Sequence, residues 1–84
     1  MSDIEFEILD ELYFVIPYHE LRYRIALPEE VLVQGLQEMI KKGWVRFYKN
    51  NTDEVLEEDV NFTKNYKNYY YLASKAGLLA HNSI

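Results

Sequence analysis

Four tyrosines stand close together at positions 66, 69, 70 and 71, and short groups of cations precede or flank them: Arg22 and Arg24, Lys41 and Lys42, Arg46 and Lys49, Lys64 and Lys67. Aromatic faces with neighbouring ammonium groups are the side chains that stack nucleobases and meet phosphates. The same tyrosines would fill a small core well, and strand alternation sends roughly half of such a run inward, so packing is the preferred reading. His19 and His81 are far apart and the chain has no cysteine, so no metal site is expected. The acidic group Asp53, Glu54, Glu57, Glu58 and Asp59 lacks the glycine and alternating oxygen ligands of a calcium loop and reads as a solvated segment. Neither a nucleophile with its base nor a glycine-rich phosphate cradle is visible, so neither catalysis nor a cofactor is expected. Asn50-Asn51-Thr52 and Asn61-Phe62-Thr63 fit the glycosylation pattern, but with no secretory signal both are read as chance.

Composition limits what can position these groups. A chain of 84 residues removes roughly 60 to 65% of its unfolded surface on folding, enough for a single domain over residues 1–84 but not for a deep substrate cleft. Apolar content of 49%, charged content of 27% and aromatic content of 15% are those of a globular chain. The absence of cysteine, of any apolar run near the ~20 residues of a membrane span, and of a basic segment in the acidic start MSDIEFE lead to the expectation of a soluble, cytoplasmic protein.

Hydrophobic spacing divides the chain into helices and strands. Ser2 with Glu5 three residues later forms a capping box, and Ile4, Ile8, Leu9, Leu12 and Tyr13 make one stripe, predicting a first helix to about residue 14. Pro17 forbids the helical region at Ile16 and suits the first turn of a new helix, whose narrow buried face is Tyr18, Leu21 and Ile25 and which ends near Ala26. A third helix over 28–42 begins with Pro28, Glu29 and Glu30, carries Leu32, Leu36, Met39 and Ile40 inward, and closes on Lys41, Lys42 and Gly43. Val45 and Phe47 alternate with Trp44, Arg46 and Tyr48, and Tyr70 and Leu72 alternate with Tyr69 and Tyr71, as the two strands of a hairpin would. Loop 50–67 joining them is longer than the ~12 to 15 residues that structureless connections usually reach, and room remains in it for an extra strand or turn. Ser74 is placed to cap a short closing helix through Leu78 and Leu79, despite the low helix propensity of Gly77.

Helix, short extended piece, helix, turn, helix, two-stranded wing: this order resembles the winged helix-turn-helix family over nearly the whole chain. Leu21 matches the second-helix leucine of that family, Leu32, Leu36 and Met39 match its third-helix apolar positions, and Gly43-Trp44-Val45 resembles its lead-in to the wing. Tyr70-Tyr71-Leu72 followed by Lys75 and Gly77 is similar to its return strand, with one residue more before the glycine. The resemblance implies an α+β winged helix, with a three-helix core, a two-stranded β-hairpin wing and a short C-terminal helix. It also implies a small, bacterial transcription-regulator-like domain in which Glu29, Glu30, Val33, Gln34 and Gln37 lie on the groove-facing side of helix three and Arg46, Lys49, Lys64 and Lys67 flank the wing.

Charge sets the two functional expectations. Nine basic against fourteen acidic residues leave a net charge of −5, and each phosphate contact needs a local cation. Asp3, Glu5, Glu7, Asp10 and Glu11 of helix one are expected on the far side of the domain, where salt over ~8 to 10 Å blunts them. Glu29 and Glu30 occupy a helix start that would otherwise favour phosphate; helix-dipole stabilisation explains them better than base readout does. The favoured expectation is therefore a non-enzymatic regulatory or interaction module that binds a protein partner or itself as a homodimer. The alternative is a small DNA-binding transcription regulator using the third helix and the wing. Trp44, Tyr48, Tyr69 and Tyr71 make a possible aromatic interface if they share an outer face; cover by Val55, Val60 or Phe62 of the long loop is the competing reading.

Overall fold

The computed structural model describes residues 1–49 and 62–82. Helix α1 (Asp3–Asp10) starts on the capping box its sequence carries: Glu5 N–H donates to Ser2 Oγ, and the Ser2 amide donates back to Glu5. It stops at Asp10, four residues short of expectation, because the amides of Glu11 and Leu12 turn tightly onto the carbonyls of Ile8 and Leu9. Leu12 remains in the core while Tyr13 and Phe14 emerge at 43% and 81% exposure. Strand β1 (Ile16–Pro17) leads into α2 (Tyr18–Arg24), which packs Tyr18 and Leu21 inward. Helix α3 (Glu29–Lys42) buries Leu32, Leu36 and Met39 with no exposure at all, and each such side chain contributes about 1.5 to 3 kcal/mol of hydrophobic stabilisation. Gly43 ends it with φ 78, the left-handed conformation that costs any other residue most.

Strand β2 (Val45–Tyr48) follows at once. After residues 50–61 come the one-turn helix α4 (Phe62–Asn65), a 3-10 turn (Tyr66–Asn68), strand β3 (Tyr70–Ala73) and helix α5 (Lys75–Asn82). The expected loop 50–67 thus contains helical structure from Phe62 onward; Val55 and Val60, expected as possible cover for the aromatic face, and the acidic group from Asp53 to Asp59 lie outside the described residues.

Beta structure is a three-stranded antiparallel sheet in the order β1-β3-β2, so the expected two-stranded hairpin is joined by Ile16 and Pro17. Such a short strand leaves no periodic signal, and its proline, which donates no ladder hydrogen bond, read as a break rather than as an edge residue. Ile16 pairs with Tyr71, and Phe47 pairs with Tyr71 from the other side, placing Ile16, Val45, Phe47, Tyr71 and Ala73 against the helices. Helix α5 closes the fold. Ser74 Oγ accepts from Gly77 N–H and donates to the Gly43 carbonyl, while the Ser74 amide donates to the Trp44 carbonyl at 2.9 Å. A Cβ on Gly77 would lie 2.2 Å from that same Trp44 carbonyl oxygen, so the glycine that looked like a weakness of the helix is what lets it approach.

Glu5 corrects the placement of helix-one acids on a remote exterior. It is 5% exposed, and Lys42, itself 4.6 Å from the centre of the Trp44 ring, donates to it at 2.6 Å. Burial pushes its carboxyl up, but the Lys42 ammonium and the Ser2 cap outweigh this and hold it below the usual carboxylate range. No helix among the described residues is long and apolar enough to cross a membrane.

Candidate functional site

The apolar stripe of α3 turns its opposite stripe outward. Leu32, Gly35, Leu36 and Met39 face the core at three- and four-residue steps, so Glu30, Gln34, Gln37, Glu38 and Lys41 recur on the far side. Together with Glu29, Val33 and Tyr66 they line a shallow depression of about 460 Å³. The five residues expected on this face, Glu29, Glu30, Val33, Gln34 and Gln37, are therefore brought together. Glu38, which the same helical spacing would have included, and Tyr66, whose place beside the third helix no local pattern indicates, join them. A second furrow, of about 280 Å³, runs between α1 and α3 past Ile4, Val31 and Gly35, and Gln34 and Glu38 border both.

Glu29 does more than complement the helix dipole. Its Oε2 accepts from Tyr18 Oη at 3.2 Å and from Tyr66 Oη at 3.0 Å, and Lys67 Nζ lies 3.5 Å away. One carboxylate thus ties α3 to α2 and to the 3-10 turn that feeds β3. Tyr66 through its hydrogen bond, then Lys67 by its charge and Tyr18 by its hydroxyl, hold the Glu29 carboxyl below the ordinary carboxylate range against a smaller opposing effect of desolvation. Burial first, then the Glu29 charge, pushes the Tyr18 phenol up to about 12; Tyr66 is raised by burial and then by its hydrogen bond to Glu29. The two rings meet edge to face with centroids 5.2 Å apart.

Cations are distributed unevenly around this face. Lys67 is engaged with Glu29, Lys42 with Glu5, and Arg24 with Glu20 and Glu11. Arg46, Lys49 and Lys64 are exposed, and only Lys41 lies among the lining residues of the depression. Glu30 and Glu38 have no cationic partner among the described residues; Glu38 accepts a hydrogen bond from the Gln34 amide at 3.4 Å. All nine lysines and arginines lie within the described residues, whereas residues 50–61 contain five acids and no base, so that segment has no countercharge to offer.

No family model, curated protein or solved structure matches the chain.

The aromatic group Trp44, Tyr48, Tyr69 and Tyr71 does not form one outer face. Tyr71 has no exposure and Tyr69 only 7%, because β3 turns its odd-numbered residues inward opposite Phe47 and Val45. Tyr71 is held there by donating its phenol to the Tyr66 carbonyl at 2.6 Å, and Tyr69 packs on Phe47 with ring centroids 5.0 Å apart. Burial drives the Tyr71 phenol far up from its ordinary value. Tyr48 and Tyr70, paired across the strands, lie on the other side of the sheet, with Arg46 and Leu72 in the next row. Phe62 stacks near Tyr69 and meets Phe47 edge-on, so it covers the inward side of the sheet rather than the outer aromatic face for which cover is expected.

His81 is a further residue whose setting the sequence does not reveal. It lies 4.2 Å from Phe6 in a stacked pair, its Nδ1 is 3.1 Å from Tyr13 Oη, and its Nε2 is 3.3 Å from Asp10 Oδ1. These contacts fasten α5 to α1. Among the described residues no group of three or more histidine and carboxylate side chains is placed to hold a metal ion.

Proposed function

We propose that this chain is a non-enzymatic interaction module of winged-helix type whose α3 face binds a protein partner. Element order supports the winged-helix reading, as does the sheet order β1-β3-β2, in which a short strand before α2 joins the antiparallel pair formed after α3. The observation that carries the functional reading is the charge of the outward stripe of α3. In a DNA-reading domain that stripe would approach phosphates, and here it presents Glu29, Glu30 and Glu38 with Lys41 as its one cation. Gln34 and Gln37 are able to hydrogen-bond a peptide as readily as a base edge. Burial of Tyr69 and Tyr71 removes half of the aromatic surface considered for self-association, which shifts the weight of the interaction reading from the sheet to α3.

The rival is a small DNA-binding regulator using α3 and the exposed cations Lys41, Lys49 and Lys64. Titration of the full chain with duplex DNA across salt separates the two. The expected result is no saturable binding near ~50 mM salt. Micromolar affinity that falls steeply and linearly in logarithmic salt would replace the protein-partner reading with the regulator reading.

A further inference from the structure

We infer that the partner presents a basic, amphipathic helix to α3, its lysine or arginine side chains meeting Glu30 and Glu38 and an apolar side chain entering the furrow beside Ile4 and Val31. This rests on the protein-partner reading above and adds the chemistry of what is bound. Three observations lead to it.

The first is uncompensated charge. Glu30 and Glu38 lie eight residues apart on one side of α3, a separation of about 12 Å, and neither meets a cation among the described residues. Residues 50–61 hold no lysine, arginine or histidine, so apart from Lys41 at the edge of the depression the chain offers these two exposed carboxylates no cation, and they are open to one from a partner. The second is that the surface already binds an ammonium group at one end. Lys67 Nζ lies 3.5 Å from Glu29 Oε2 and 5.9 Å from the centre of the Tyr66 ring, so carboxylate and aromatic face together show how a cation is received there. The third is shape. Gln34 and Glu38 form a crest between the acidic depression and the furrow that carries Ile4 and Val31, so charge and apolar surface run side by side along α3. A helix with cations on one flank and aliphatic side chains on the next matches both strips at once; duplex DNA matches neither.

The test uses the full chain and a synthetic amphipathic helical peptide bearing lysines at three- and four-residue spacing beside a leucine stripe. Amide NMR spectra report where it binds. The expected result is a set of shifts confined to α3, Tyr66 and the facing part of α1, with affinity falling several-fold between about 0.05 and 0.3 M salt. Glu30→Gln with Glu38→Gln should weaken binding by about fivefold, the size expected of two exposed ion pairs, and leave the thermal midpoint in place. Equal binding by a peptide whose lysines are replaced by glutamine would overturn the cationic assignment while leaving the protein-partner reading intact. Shifts of the same α3 resonances by duplex DNA, steeply salt-dependent, would overturn both. Peptide shifts elsewhere, no binding, or indifference to the double substitution would overturn the cationic assignment.

Discussion

A glutamate and a lysine meet at each end of α3, and the two ends behave as different materials. At the C-terminal end Glu5 is nearly solvent-free, bonded at 2.6 Å to a Lys42 that lies against Trp44, with Ser74 and Gly77 sealing the junction above. At the N-terminal end Glu29 is 38% exposed at its side chain, Lys67 stands 3.5 Å off, and two tyrosine hydroxyls do the holding. In water an exposed pair is screened and contributes little, whereas at the other end the carboxylate of Glu5 is nearly out of solvent and would be stranded without Lys42, which itself keeps 45% of its side chain exposed. The C-terminal end of α3 is therefore a fixed joint, and its N-terminal end is a surface whose charges can change partners.

The contrast makes graded predictions. Gly77→Ala forces a Cβ onto the Trp44 backbone and should cost about 3 kcal/mol in urea unfolding; an unchanged midpoint would mean the junction is not tight. Glu5→Ala removes the carboxylate that accepts from Lys42 and from the Ser2 amide, and with Lys42 45% exposed at its side chain and able to turn to water it should cost about 1 to 2 kcal/mol by the same measurement. Titration should then assign one pH limb to each end. Glu5 has a lowered folded-state value, so its contribution is present above the ordinary carboxylate range and is lost as pH falls through that lowered value; Glu5→Gln should flatten the acid limb. Tyr18 has a raised value, so its contribution is complete below its ordinary 10.0 and is lost as pH rises toward about 12; Tyr18→Phe should flatten the alkaline limb seen by circular dichroism. Smallest of all, Glu30→Gln and Glu38→Gln should each leave unfolding within ~0.5 kcal/mol of the parent, and a larger loss would make that face structural rather than a docking surface.

Local chemistry was legible in the sequence where one residue type has one use. The capping box at Ser2, the left-handed glycine at 43 and the leucine stripe of α3 each follow from a single steric or hydrogen-bonding rule, and the structure shows all three. The phase of β3 was not legible. Tyr69, Tyr70, Tyr71 and Leu72 are bulky on both faces, so alternation carries no contrast, and the choice is made by long-range partners: Ala73 N–H to the Leu12 carbonyl, Tyr18 N–H to the Tyr69 carbonyl. The same holds for the site. Helical spacing alone places Glu30, Gln34 and Glu38 on one stripe, but that Tyr66 reaches back thirty-seven positions to Glu29 depends on how the 3-10 turn seats, and no local pattern encodes it.

Pro17 has a consequence for how this chain behaves at high concentration. It sits on the outermost strand of its side of the sheet, and its ring nitrogen has no hydrogen to offer a newcomer. Growth by stacking one molecule's ribbon onto another is blunted there. Among the described residues that leaves the Val45–Tyr48 margin as the place where fibre-forming contacts would begin, and the exposed Arg46 within it acts as a gatekeeper against them.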